Sequence, residues 1–293
     1  MVETGSITLE DMKTNPIQPT NLIWVRGAGE LGSAVALSLY HTGFRVFLSE
    51  IIPPLAIRRT VTFSDAILTS QAAVEMVPAR YYHHNAFPEA WPQDHLPLFE
   101  DDPSTLRSLG PAVLVDARMH KQYHRDYRSW APLVVGLGPE FVARGNCHVA
   151  IETMRGHDLG RIIWKGSPQA NTGIPGSIQG ESARRVVRAP SQGTLKWQVN
   201  FGDTVTPGQT LGTINGTVKI QAPLAGLVRG LIHPQVPLQP GLKIADIDPR
   251  GAGIDYHRLS DKAQAVGRAV LEAILTFQSS RETHRLKVGG QPR

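Results

Sequence analysis

The sequence predicts an α/β fold: a Rossmann-like parallel-sheet domain, a small all-β domain after it, and a C-terminal helix. Three observations carry this. Leu22 to Glu50 reads as strand, glycine turn, helix and strand. Later apolar runs end in Asp, Gly or Glu, which suits a parallel sheet whose carboxyl ends form a ligand crevice. Near Arg184 the texture changes to short β-segments with an internal repeat.

In order along the chain, residues 1–20 are polar and read as a disordered leader. Leu22-Ile23-Trp24-Val25-Arg26 is a strand feeding Gly27-Ala28-Gly29-Glu30-Leu31-Gly32, a G-x-G-x-x-G turn. A helix from about Leu31 to His41 buries Leu31, Ala34, Val35, Leu37 and Leu39, and Gly43 closes it. Phe44 to Leu48 makes the next strand and ends at Glu50, placed for a ribose hydroxyl about 20 positions after the turn. Pro53 and Pro54 force an extended loop, followed by Arg58 and Arg59, and Phe63 to Ile67 is a short helix candidate capped by Ser64. Pro111 to Asp116, Ala131 to Pro139 and His148 to Thr153 are three buried strands. Together residues 21–160 form the nucleotide-binding domain, and 161–183 connect it onward.

Residues 184–250 carry the repeat. Ala189-Pro190-Ser191-Gln192-Gly193 recurs as Ala222-Pro223-Leu224-Ala225-Gly226, and Pro207-Gly208 as Pro240-Gly241, both offset by 33 residues. Two intertwined halves of a small β domain follow. The repeat resembles the biotinyl/lipoyl-type barrel-sandwich. Asn215-Gly216 stands at the hairpin where carrier domains place a lysine, and Lys219 lies beyond it, so no covalent biotin or lipoate is expected. The last helix, within residues 251–280, is capped by Ser260, favoured by Asp261 and striped with Ala263, Val266, Val270, Ile274 and Phe277; residues 281–293 are a polar tail.

Composition narrows the function. Lys and Arg total 30 against 25 Asp and Glu, and the arginines are scattered, so nucleic acid is not indicated and a small anionic ligand is. No run approaches the ~20 apolar residues that cross a bilayer, no secretory signal is present, and a cytoplasmic location is the expectation. Cys147 is the single cysteine, which excludes an intrachain disulfide. It is either inert packing or a thiol activated by His148.

The candidate ligand contacts gather at strand ends. Gly27, Gly29 and Gly32 present the turn, Glu50 the acidic end, Arg58 and Arg59 a phosphate contact, and Asp116 (with Lys121) and Gly138 the neighbouring strand ends. Glu152, Arg155, His157, Asp158 and Arg161 crowd into one ten-residue stretch after a buried strand. That stretch either binds a ligand or is a salt-bridged loop that staples the domains. Asn171 and Gly173, in Asn171-Thr172-Gly173-Ile174-Pro175-Gly176, either offer backbone amides to an anion or make a plain turn. Glu30 suits the helix dipole but repels a pyrophosphate, a repulsion that Arg26, Arg58 and Arg59 offset. No metal site is expected.

These segments resemble the YqeB family of selenium-dependent molybdenum hydroxylase system proteins. The matching stretches are Val25 to Gly29, Ala56 to Arg59, Val115 to Ala117, Gly136 to Pro139, Glu152 to Arg161, Asn171 to Gly176, Arg229 to Ile232 and Ser260 to Ala263. The family turn usually reads Gly-Ala-Gly-Asp, where this chain has Gly27-Ala28-Gly29-Glu30. The resemblance implies an accessory or maturation protein of a molybdenum hydroxylase, its client, with little or no catalysis of its own. It implies a nucleotide or molybdopterin dinucleotide at the glycine turn, whose pyrophosphate a helix N-terminus suits. The alternatives are an NAD(P)-dependent oxidoreductase using the same turn and a non-catalytic scaffold for the client enzyme.

Overall fold

The computed structural model describes residues 21–82, 86–119, 125–171, 173 and 178–288. The expected leader, Lys121, Thr172, Ile174 to Gly176 and the last residues of the tail lie outside these.

β1 (Leu22–Arg26), α1 (Glu30–His41) and β2 (Arg45–Glu50) form one strand–helix–strand crossover with β1 and β2 parallel. The chain then adds α2 (Ala66–Thr69), a hairpin of β3 (Gln71–Val74) and β4 (Val77–Tyr81), β5 (Leu96–Glu100), α3 (Pro103–Leu106), β6 (Val113–Asp116), β7 (Leu133–Leu137), β8 (Val149–Ile151) and β9 (Ile162–Ile163). Asp65, not Ser64, precedes the short helix. Among the described residues these strands make one nine-stranded sheet in the order β3-β4-β5-β2-β1-β6-β7-β8-β9. Neighbours from β4 to β8 run parallel, and the two edges, β3 on β4 and β9 on β8, are antiparallel.

The sheet is mixed, and it is not the Rossmann-like domain that the glycine turn predicts. A doubly wound sheet carries helices on both faces. Here one face, with Ile23, Val25, Leu48, Val115 and Val135, packs against α1 and the C-terminal helix. The other face is closed mainly by loops, with Leu106 of the single-turn α3, over an aromatic layer of Trp24, Phe47 and Phe99, joined by Tyr127, Phe141 and Cys147. Trp24 stacks on Phe47 at 6.0 Å and 12°. Alternate residues of a strand face opposite sides, so β1 sends Ile23 and Val25 to the helices and Trp24 to the loops. Large aromatics fill the space a second helical layer takes, and the crossovers leading to β7 and β8 contain no α-helix among the described residues.

The second unit contains β10 (Val186–Arg188), β11 (Leu195–Trp197), β12 (Thr204–Val205), β13 (Thr210–Ile214), β14 (Val218–Gln221), β15 (Gly226–Leu231) and β16 (Lys243–Asp248). They form two antiparallel sheets, β10-β16-β15-β12 and β11-β13-β14. The 33-residue spacing carries into their pairing: Leu195 faces Ile214 as Val228 faces Ile247, and Val187 faces Ala245 as Ile220 faces Gly212. The expected small barrel-sandwich domain is nevertheless corrected. The strands divide into separate four- and three-stranded sheets, and their shared core takes in Ile57 from the segment after β2. The Leu231 amide donates to the Ile57 carbonyl at 2.8 Å, so the N-terminal chain is part of this unit.

α4 (Asp261–Val288) returns to the large sheet, and its helical backbone continues through the expected tail to Val288. Ser260 Oγ accepts from the Ala263 amide at 3.2 Å. α4 lies against α1, and a Cβ at Gly267 would sit 2.8 Å from the Ala34 carbonyl oxygen, so glycine sets how closely the helices cross.

Candidate functional site

The carboxyl ends of β1, β2 and β6 to β8 meet at the glycine turn. Gly27 has φ of +100°, which favours glycine, and a Cβ there would lie 3.0 Å from the Arg118 amide nitrogen. A Cβ at Gly32 would stand 1.8 Å from the Gly27 carbonyl oxygen, so Gly32 lets α1 close onto its own turn. Gly29 is the N-cap residue, its carbonyl accepting from the Ser33 amide at 2.8 Å.

The groups that would face a nucleotide are already engaged. The Ala28 amide donates to Glu50 Oε2 and the Ile51 amide to Glu50 Oε1, each at 2.9 Å. Both Glu50 oxygens therefore serve the backbone instead of a ribose. Burial pushes the Glu50 carboxyl up, although both amides favour its charged form. Glu30, first residue of α1, pairs with Arg58 and accepts from the Ser260 amide at 3.0 Å. Arg58 also donates to the Arg258 carbonyl at 3.2 Å. Burial raises the Glu30 carboxyl, but Arg58 and Ser260 outweigh it and hold it below the ordinary range. Two helix N-termini, those of α1 and α4, thus share one protein carboxylate. The anion that the glycine turn calls for belongs to the chain itself.

The remaining expected contacts also point inward. Asp116 is gripped by Arg118 at 3.0 and 2.6 Å, and Arg118 also donates to Tyr127 Oη at 2.9 Å. Arg59 pairs with Asp65 at 2.6 Å and lies over Phe201. Gly138 has φ of +85°, and a Cβ there would lie 2.8 Å from Thr153 Oγ1. Burial pushes the Cys147 thiol up to about 12, and His148 does not activate it: burial holds that ring down to about 4, and its Nδ1 accepts from the Val134 amide at 2.9 Å.

The Glu152–Arg161 stretch divides. Glu152 accepts from the Met154 and Gln169 amides at 2.6 and 2.7 Å, and Arg155 clamps Asp261 of α4, with Nη2 to Oδ1 at 2.7 Å. That half does stapling work. The other half faces outward: Asp158 and Arg161 pair at 2.8 Å on the rim of an open groove of about 400 Å³ along β9, which Glu152 and Gln169 also line. A second groove of about 630 Å³, lined by His157, adjoins it and shares Asp158, Arg161, Ile162 and Trp164. Asn171 Oδ1 accepts from the Gly173 amide at 3.0 Å, a local turn. Trp164 and Lys165 on the groove were not expected from the sequence; an exposed tryptophan after a two-residue isoleucine strand was the available signal. Among the described residues, no group of three or more His, Cys, Asp and Glu is placed to hold a metal.

No protein-family model matches the chain. Over 268 residues it is 42% identical to the uncharacterized protein YqeB of Escherichia coli (strain K12), covering 90% of this chain and 49% of that protein. The likeness supports placing the chain in the YqeB family. The chain spans about half the length of that curated relative. Among solved structures it is similar to a succinylglutamate desuccinylase/aspartoacylase from Rhodobacter sphaeroides, at 21% identity, TM-score 0.21 and 29% of each chain. It is also similar to the product-bound ectoine utilization protein EutE (DoeB) from Ruegeria pomeroyi, at 13% identity, TM-score 0.24, and 78% and 85% of the two chains. At such TM-scores these likenesses do not carry a mechanism to the YqeB-like chain.

The functional expectations are corrected at this point. The expected roles, an NAD(P)-dependent oxidoreductase and a molybdenum-hydroxylase accessory protein binding a nucleotide, both rest on an open crevice at the glycine turn. The crevice those roles relied on is closed by Glu30, Arg58 and Ser260. A molybdopterin dinucleotide and NAD(P) at the glycine turn are set aside with them. No described helix is long and apolar enough to cross a membrane.

Proposed function

We propose that this protein binds a small planar anion, of the aromatic carboxylate class, in the groove along β9. The observation carrying this reading is Trp164, 36% exposed, which lines the groove together with Lys165, the next residue in the chain. An exposed indole is a stacking face, and the Lys165 ammonium supplies the charge for a carboxylate. Competing acids on the groove are already engaged: Asp158 by Arg161, and Glu152 by two backbone amides. Among the described residues Lys165 has no ion-pair partner, which leaves its charge for a ligand.

Calorimetry with benzoate, succinate and phosphate tests this directly. Benzoate is expected to bind, with succinate and phosphate at least tenfold weaker. Trp164→Ala and Lys165→Gln are each expected to weaken benzoate about tenfold, the scale of ~1.4 kcal/mol. Absence of benzoate binding, or binding that Trp164→Ala leaves unchanged, overturns the proposal.

A further inference from the structure

The groove along β9 adjoins the second groove, of about 630 Å³, and the sequence of α4 explains how that second groove is formed. Ala265, Ala269, Glu272 and Thr276 recur at helical spacing and share one face of α4. The loop before β9 lies against the first two. Gly160 has φ of +82°, and a Cβ there would lie 3.3 Å from the Ala265 carbonyl oxygen and 3.7 Å from Ala269 Cβ. Glu272 and Thr276, the next two residues of that face, line the groove together with His157, Leu159 and Trp164. Small residues therefore close one stretch of the seam between helix and loop. The seam opens where α4 carries longer polar side chains.

The two grooves differ in charge. Asp158 and Arg161 line both and pair with each other at 2.8 Å, so together they carry no net charge. Of the remaining ionisable groups, the β9 groove has Lys165 and Glu152, and Glu152 is held by the Met154 and Gln169 amides. The second groove has His157 and Glu272, the latter exposed. Among the described residues neither Lys165 nor Glu272 is in an ion pair. A cation thus belongs to one groove, a carboxylate to the adjoining one, and the Trp164 indole to both.

Resting on the reading of the β9 groove as an aromatic carboxylate site, we infer that its ligand is a zwitterion, an aromatic carboxylate that bears an ammonium group on the opposite side of its ring. The ring stacks on Trp164, the carboxylate meets Lys165, and the ammonium reaches Glu272 in the second groove. A rigid ring holds the two charges apart, so they stay available to the protein instead of pairing with each other. Ligand and protein charges then match one for one, and neither groove is left with an uncompensated charge. A dicarboxylate of the same shape brings a second anion toward Glu272 and meets like-charge repulsion.

Calorimetry of the full chain at low ionic strength, with benzoate, 4-(aminomethyl)benzoate and terephthalate, tests this. An exposed ion pair supports a gain of about threefold, so 4-(aminomethyl)benzoate is expected to bind about threefold tighter than benzoate, and terephthalate no tighter than benzoate. Added salt is expected to shrink that preference, because it screens an exposed pair. In Glu272→Gln the ratio of the benzoate and 4-(aminomethyl)benzoate Kd values is expected to fall to about one. Equal Kd values for these two ligands in the wild-type protein, or a preference that Glu272→Gln preserves, overturns the inference while the aromatic carboxylate reading stands. Absence of binding by all three ligands overturns both.

Discussion

Replacing Glu30 by glutamine is the sharpest test of the closed crevice. The change keeps the side-chain shape and an oxygen to accept from the Ser260 amide, but it removes the charge opposite Arg58. The side chains of Arg58 and Glu30 are only 10% and 21% exposed, and Arg58 Nε already lacks a partner. Breaking a buried pair on one side costs about 3–5 kcal/mol, and the partial exposure of Glu30 places this case near the lower end, ~3 kcal/mol. In a chain of 293 residues that lowers Tm by ~5 °C. The pH dependence has a definite sign. Glu30 is depressed in the folded state, so its contribution is complete above the ordinary value of 4.5 and fades as pH falls through the folded value. The wild-type protein should therefore lose stability on acidification below about 4.5 more steeply than Glu30→Gln, and the two curves should converge. Urea unfolding from pH 3 to 7, with Arg58→Met and the double variant completing a cycle, measures this. A loss below ~1 kcal/mol at pH 7, or parallel acid limbs, would refute the reasoning.

The glycine turn and the lone thiol make two further predictions. Gly32→Ala puts a methyl 1.8 Å from the Gly27 carbonyl oxygen, backbone that has no free side chain to yield, and should cost ~3 kcal/mol or more in urea unfolding. Gly29→Ala, with nothing within 4 Å of its Cβ, should stay within ~0.5 kcal/mol of wild type; equal losses at the two glycines would show that the close contact is not what matters. Cys147, buried and pushed up to about 12, should react with a thiol-specific chromogenic disulfide only at the rate of unfolding, and immediate reaction of the native protein would contradict its burial.

Local signals in the sequence were read well where the structure is decided locally. The β1–turn–α1–β2 order, the apolar runs that contain β6, β7 and β8, and the stripe Ala263 to Phe277 rest on contacts within one element or between sequence neighbours. What covers the second face of the sheet is not a local property. Trp24, Phe47 and Phe99 occupy alternate strand positions, and only their meeting across three strands makes an aromatic layer, on which α3 is the one α-helix contributing to the cluster among the described residues. Residues 80–110 looked irregular because β4 and β5 are ordered by pairing across the sheet, which no periodicity in the sequence encodes.

The glycine turn shows where motif reasoning stops. A G-x-G-x-x-G turn with exposed amides and a helix dipole predicts that an anion will be found there, and this holds at Gly27 to Gly32. It does not predict whose anion. The Glu30 side chain enters at the helix start, Glu50 folds back onto the Ala28 amide, and the second helix arrives from 230 residues away in the chain. An acid at the first helical position of such a turn was the readable warning, because a carboxylate there competes with a ligand for the same field. Its partner Arg58 was noticed as a phosphate contact; the same arginine, once paired with Glu30, has no charge left to offer. At Glu30 and Arg58 the electrostatics close the crevice instead of opening it.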